Sequence, residues 1–129
     1  MFLTLRTDNP EAEIGLYDGE KQLSYHKWLA DRKLAKELLG VIRDELKKQN
    51  ADWKDISGVI AYQGPGSFTG LRIGLTVANT IAYGQDIPIV AAQGDDWIAT
   101  GLKRLAAKET DRMVLPHYGA EANITMPKK

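Results

Sequence analysis

The feature that most restricts the fold of this chain is a glycine-rich turn between an apolar run and a long helical pattern. Residues Ile56–Tyr62 form a mostly apolar run of strand length, as a buried strand of a parallel sheet requires. In the turn that follows, Gly64 and Gly66 allow backbone angles closed to other residues, and Pro65 stiffens the chain between them. A helical pattern then runs from about Thr69 to Tyr83. This succession predicts a βα unit of an α/β protein.

The residues before this unit predict an antiparallel meander. Phe2–Arg6 is a short apolar segment of strand character, and Glu13–Tyr17 and Leu23–Trp28 extend again on either side of Asp18-Gly19. Asp-Gly between two extended segments favours a tight hairpin turn, because both central positions of such a turn prefer positive φ.

Apolar periodicity predicts the remaining elements. A helix with a wide apolar face is expected from a cap at Asp31 to near Asn50, and Ile87–Ala92 reads as a second buried strand. Asp95 or Asp96 is expected to cap a third helix, and Met113–Leu115 to form a last short strand. The predicted order is βββ-α-β-α-β-α, an α/β lobe over residues 1–116 with a mixed five-stranded sheet and helices packed on it. Residues 117–129 are expected to be an irregular tail.

Composition argues against several classes of function. The 17 basic and 17 acidic residues of this 129-residue chain cancel, whereas a chain that grips nucleic acid alone usually has a basic excess. Cysteine is absent, so disulfides and thiolate metal sites are excluded. His26 and His117 are far apart and lack a metal-ligand spacing, and Ser67 has no base near it in sequence. We therefore predict no catalytic or metal-binding residues, and a cytoplasmic location because no membrane-spanning run is visible.

Two features of the glycine-rich segment leave alternatives open. The loop residues are either an anion or nucleotide site, because backbone N–H groups at a helix start attract anions, or a purely structural turn. The candidate loop residues are Gly64, Gly66, Ser67, Phe68, Thr69 and Arg72. Inside the helix, Gly70 and Gly74 each cost about 0.5–1 kcal/mol relative to Ala, so another backbone is expected to approach them closely. That backbone belongs either to this chain or to another.

The run GPGSFTGLRIG at 64–74 resembles the signature of the TsaB family, and the resemblance extends over about 52–92. It implies an RNase H-like/actin-like fold and a non-catalytic scaffold subunit. Such a subunit pairs with a TsaD-like catalytic protein, alongside a TsaE-like ATPase, to threonylcarbamoylate the tRNA adenosine beside the anticodon. The resemblance implies no cofactor for the chain itself, and ATP or ADP only within a complex. It also implies that the chain contacts tRNA only through the complex. The alternatives are a nucleotide-binding or anion-binding module and a structural homodimer.

The resemblance also places an interface, which a homodimer would use in isolation. Its predicted residues are Leu38, Ile42, Gly70, Leu71, Gly74, Leu75, Ala78, Asn79 and Ala82. Two departures from the family pattern matter. Arg6-Thr7-Asp8 stands where the family has Asp-Thr-Ser, which argues against a metal-nucleotide site there. The second lobe typical of the family is expected to be missing.

Overall fold

The computed structural model describes residues 1–66 and 68–116, with the backbone alone for Phe68. The strands are β1 (Phe2–Arg6), β2 (Glu11–Asp18), β3 (Lys21–Leu29), β4 (Gly58–Tyr62) and β5 (Ile89–Ala92), and the helices are α1 (Leu34–Lys48), α2 (Phe68–Gln85) and α3 (Trp97–Ala106). The predicted order of elements is confirmed. The predicted tail and Ser67 lie outside the described residues.

The five strands form one mixed sheet in the order β3-β2-β1-β4-β5. β1, β2 and β3 are antiparallel neighbours, whereas β4 pairs in parallel with both β1 and β5. The turn between β2 and β3 contains Gly19 at φ 62°, as the Asp-Gly pair predicts. Parallel strands need crossover connections, and α2 supplies the one between β4 and β5.

The sheet carries a separate apolar core on each face. Leu3 and Leu5 of β1 pack with the apolar stripe of α1 and with α2. Ile60 and Tyr62 of β4 point to the opposite face, because side chains alternate along a strand, and they pack with α3. Gly101 of α3 permits this contact, since a Cβ there would lie 2.3 Å from Ile60 Cγ2.

Of the two predicted helix caps, the one at Asp31 is wrong and the one at Asp96 is correct in position only. Asp31 does not cap α1: it lies in a 3₁₀ turn at φ 46°, and Lys33 occupies the N-cap position. The backbone N–H of Asp31 donates to the Pro10 carbonyl at 3.1 Å, which fixes Asp31 at the end of the sheet. Asp96 stands at the N-cap of α3, but its side chain makes no capping hydrogen bond.

The predicted strand at Met113–Leu115 is also wrong, because this segment bonds to side chains rather than to a neighbouring strand. The Val114 N–H donates to Asn79 Oδ1 at 2.8 Å, and Asn79 Nδ2 donates to the Val114 carbonyl at 2.9 Å. Gln63 Nε2 donates to the Leu115 carbonyl at 2.8 Å. The amide of Asn79 thus satisfies both backbone groups of Val114.

Candidate functional site

The glycine-rich loop connects β4 to α2 and is covered by the residues that follow β1. Gly64 is buried at φ 120°, a conformation that favours glycine. A Cβ on Gly66 would lie 2.3 Å from the Asp8 Cβ and 3.0 Å from the Asp8 Cα. The small size of Gly66 is therefore required by a contact within the chain.

Gly74 has the same kind of neighbour. A Cβ at this position would lie 2.0 Å from Thr7 Oγ1, and Thr7 is buried. The Thr7 hydroxyl also donates to the Gly70 carbonyl at 2.8 Å. The approach that the glycine row predicts is thus made by the chain's own segment after β1. A close approach by a foreign helix is not needed to explain Gly74.

The side chains predicted to contact a partner are mostly inside the core. The apolar ones are between 0% and 4% exposed, and these are Leu38, Ile42, Leu71, Leu75, Ala78 and Ala82. Gly74 is also buried, and the Asn79 side chain holds Val114. The resemblance placed these side chains at an interface, whereas in the folded chain they lie on the helix faces turned toward the sheet.

The outer surface of α1 and α2 consists of other residues. We define the α1/α2 surface as Ala35, Leu39, Arg72, Ile73, Thr76, Val77, Thr80 and Tyr83, which are exposed or half-buried. Leu39 is 52% exposed and Tyr83 is 90% exposed. Two open depressions of about 350 Å³ each lie on it, one around Ile73 and the other beside Leu39 and Trp53.

Charge is nearly absent from α2. Its 18 residues include a single charged side chain, Arg72, although one side of the helix faces solvent. An exposed helix face in a globular protein normally carries several charges. The outer side of α1 follows that rule with Lys36, Arg43 and Lys47, so the exception is confined to α2.

The other candidate loop residues that the structure describes have different neighbours. Thr69 and Arg72 are exposed and border the depression around Ile73, whereas Gly66 lies against Asp8. The side chain of Phe68, like Ser67, is outside the part of the chain that the structure describes. Over residues 1–66 and 68–116, no three His, Asp or Glu side chains lie close enough to hold a metal ion.

An ion pair lies beside this loop. Arg6 Nε donates to Asp8 Oδ1 at 2.7 Å and Arg6 Nη2 donates to Asp8 Oδ2 at 3.1 Å. The guanidinium carbon also lies 4.0 Å from the centre of the Tyr62 ring. The hydrogen bonds that Arg6 donates to Asp8 raise the pKa of Arg6 above its ordinary value, while partial burial acts in the opposite direction. Arg6 stands where the resembled family has a carboxylate, but no spacing in the sequence indicates that Arg6 pairs with Asp8.

This sheet order, with α1 and α2 on one face and α3 on the other, defines an RNase H-like/actin-like α/β lobe. The chain belongs to the TsaD family, because the model of that family, described as "TsaD: tRNA N6-adenosine threonylcarbamoyltransferase", matches residues 28–109. The relatives that follow are of the TsaB type, which confirms the resemblance of the glycine-rich signature.

The chain is similar to the tRNA threonylcarbamoyladenosine biosynthesis protein TsaB of Escherichia coli, with 29% identity over 119 residues. That match covers 87% of this chain and 51% of the relative, so the chain spans about half its length. The protein of the same name from Bacillus subtilis is 39% identical over 69 residues, which are 52% of this chain and 27% of the relative. The solved structure "YeaZ from Pseudomonas aeruginosa" superimposes with a TM-score of 0.66 and 27% identity, over 71% of this chain and 43% of that chain.

Within the described residues, none of the helices is both long enough and apolar enough to cross a bilayer.

Proposed function

We propose that this chain is a non-catalytic scaffold subunit in the biosynthesis of tRNA threonylcarbamoyladenosine. It pairs with a TsaD-like catalytic subunit, which transfers the threonylcarbamoyl group to the tRNA adenosine beside the anticodon. The similarity to TsaB proteins and the match to the TsaD family model support this proposal.

The observation that carries the pairing is the exposed and almost uncharged outer side of α2. Three apolar side chains of α2 remain partly in water: Ile73, Val77 and Tyr83. Burial of their exposed apolar surface would contribute about 25 cal/mol per Å². Exposed apolar surface beside open depressions is typical of a protein–protein interface. Thr76 and Thr80, which are one turn apart, have short side chains that let another helix lie close.

The scaffold role also agrees with the charge of the chain. Equal numbers of acidic and basic residues give no net attraction to phosphates, so tRNA is contacted through the complex. A TsaE-like ATPase joins the same complex, which we place in the cytoplasm.

The pairing can be tested with two Thr→Glu variants on exposed helical positions. Thr76→Glu puts a carboxylate on the α1/α2 surface, whereas Thr100→Glu puts one on α3, which packs on the opposite face of the sheet. We expect Thr76→Glu to weaken binding to the TsaD-like protein of the same genome about 100-fold, because the carboxylate would be desolvated at the interface. Calorimetric titration measures the dissociation constants.

The control should bind as the wild type does. Equal weakening by both variants would show that the contact lies away from the α1/α2 surface. Failure of the wild-type chain to form a complex would reject the scaffold proposal. Circular dichroism of both variants checks that each remains folded.

A further inference from the structure

The carboxyl ends of β1 and β4 form the place where open α/β sheets usually bind ligands. These strands are parallel neighbours, and they end at Arg6 and Tyr62. An actin-like ATPase fold implies a metal-bound nucleotide at such an edge, held by a free carboxylate and by exposed backbone N–H groups. The residues at this edge decide whether such a ligand fits.

The residues at the carboxyl ends of β1 and β4 do not fit a metal-bound nucleotide. Both carboxylate oxygens of Asp8 accept hydrogen bonds from Arg6, and the Asp8 side chain is only 8% exposed. A carboxylate engaged in this way is not free to hold a hydrated Mg²⁺. The space next to Gly66 is filled as well, because the Cα and carbonyl oxygen of Asp8 would lie 3.0 and 3.1 Å from a Cβ on that glycine.

The three residues at the end of β1 and after it tie that strand to the loop and to the beginning of α2; they are Arg6, Thr7 and Asp8. Arg6 lies over the ring of Tyr62 at the end of β4, and Asp8 lies against Gly66. Between them, Thr7 is bonded to the Gly70 carbonyl and packs on Gly74 in the first turns of α2. Each contact joins residues more than fifty positions apart, so the segment after β1 connects β4, the glycine-rich loop and α2.

We infer that the Arg6–Asp8 ion pair takes the place of a bound nucleotide at this edge and holds the glycine-rich loop and the start of α2 in their folded arrangement. The guanidinium supplies the positive charge that a metal would bring, and the Cα, Cβ and carbonyl oxygen of Asp8 fill the space beside Gly66. The outer side of α2 is thereby formed without a nucleotide. This inference does not depend on the proposed function, since it concerns the isolated chain.

Calorimetric titration of the wild-type chain with Mg-ATP, Mg-ADP and inorganic phosphate tests the first half of the inference. We expect no binding at millimolar ligand. Saturable binding of any of the three would overturn it, because the site would then be open in the folded chain.

Hydrogen exchange tests the second half. Arg6→Met keeps the aliphatic bulk but leaves Asp8 unpaired, so amides over 64–74 should exchange about 10-fold faster or more, while those of β2 and β3 keep their rates. Arg6→Lys, which keeps the charge, should restore part of the protection. The matched control is Arg43→Met, which removes a surface ion pair to Asp44 and should leave exchange over 64–74 unchanged.

Unchanged exchange over 64–74 in Arg6→Met would refute the positioning role. Should Arg6→Met fail to fold, the double variant Arg6→Met with Asp8→Leu provides the comparison, since replacing both members of a partly buried pair by apolar residues avoids the unpaired charge. Recovery of folding in that double variant supports a paired role for the two residues, and failure to recover contradicts it.

Discussion

At the scale of single residues, Gly15 on β2 makes room for two aromatic rings. A Cβ at this position would lie 2.6 Å from Thr4 Oγ1, 2.8 Å from Tyr25 Cδ1 and 3.0 Å from Tyr17 Cε1, so a larger residue would force neighbouring side chains to shift. The rings are held at their hydroxyl ends: Tyr25 donates to Glu13 Oε1 at 2.5 Å and Tyr17 donates to Gln22 Oε1 at 3.1 Å. Burial, and then the hydrogen bond to Glu13, raise the pKa of the Tyr25 phenol above its ordinary value.

This shift predicts a loss of stability in alkali. The unfolded chain releases the Tyr25 proton near pH 10, whereas the folded chain retains it, so the free energy of unfolding should fall as the pH rises above about 10. Tyr25→Phe has no proton to release and should give a flatter curve over that range. Urea unfolding between about pH 8 and about pH 11 measures both slopes. Tyr83→Phe is the control, because its ring is 90% exposed, and its curve should follow the wild type. Parallel curves for the wild type and Tyr25→Phe would contradict the prediction.

At the scale of elements, α2 is held on its C-terminal side by one amide. The Asn79 side chain makes two hydrogen bonds to the backbone of Val114, and this docks the segment after α3 against the helix. The sequence predicted a strand for that segment, because a short apolar run does not show whether its backbone bonds to a strand or to a side chain.

Asn79→Ala should release the segment around Val114. It leaves the N–H and carbonyl of a buried residue without partners, so the free energy of unfolding should fall by about 1–3 kcal/mol. Exchange of the Val114 amide should accelerate in the same variant. Thr76→Ala, which changes an exposed residue of the same helix, should stay within about 0.5 kcal/mol of the wild type. Equal stability of the two variants would show that the amide bonds contribute nothing.

The elements also show how far sequence reasoning reaches. β1 and the order of all strands and helices follow from apolar periodicity, because burial of one face determines which residues must be apolar. The same periodicity cannot say which atom fills the space beside a glycine. It therefore left open whether this chain or another lies against Gly74, and the family resemblance favoured a partner, whereas Thr7 of the same chain fills the space. Exposed residues such as Thr76 carry no periodic signal, so the α1/α2 surface emerged only from the structure.

At the scale of the whole molecule, one edge of the sheet is covered from within the chain. The Asp111 N–H donates to the Ile89 carbonyl, and the Ala91 N–H donates to Asp111 Oδ2, each at 2.7 Å. Arg104 holds Asp111 by two further hydrogen bonds, which lower the pKa of that carboxyl. Because β5 has its outer hydrogen-bonding groups occupied in this way, association between copies through that edge is disfavoured. The α1/α2 surface on the broad face of the molecule remains available.

Self-association through this surface should therefore be hydrophobic in character. With Arg72 as the only charge that α2 contributes, we expect the isolated chain to dimerise in a concentration-dependent manner. Raising the salt from about 0.1 M to about 1 M should leave the dimer constant unchanged or strengthen it, since screening weakens only charged contacts. Sedimentation equilibrium of the wild type, Thr76→Glu and Thr100→Glu at both salt concentrations measures this. A dimer that dissociates in high salt would have to form through charged contacts, and a dimer that Thr76→Glu leaves intact would have to form through a different surface. In either case the shortage of charge on α2 would have no role in assembly.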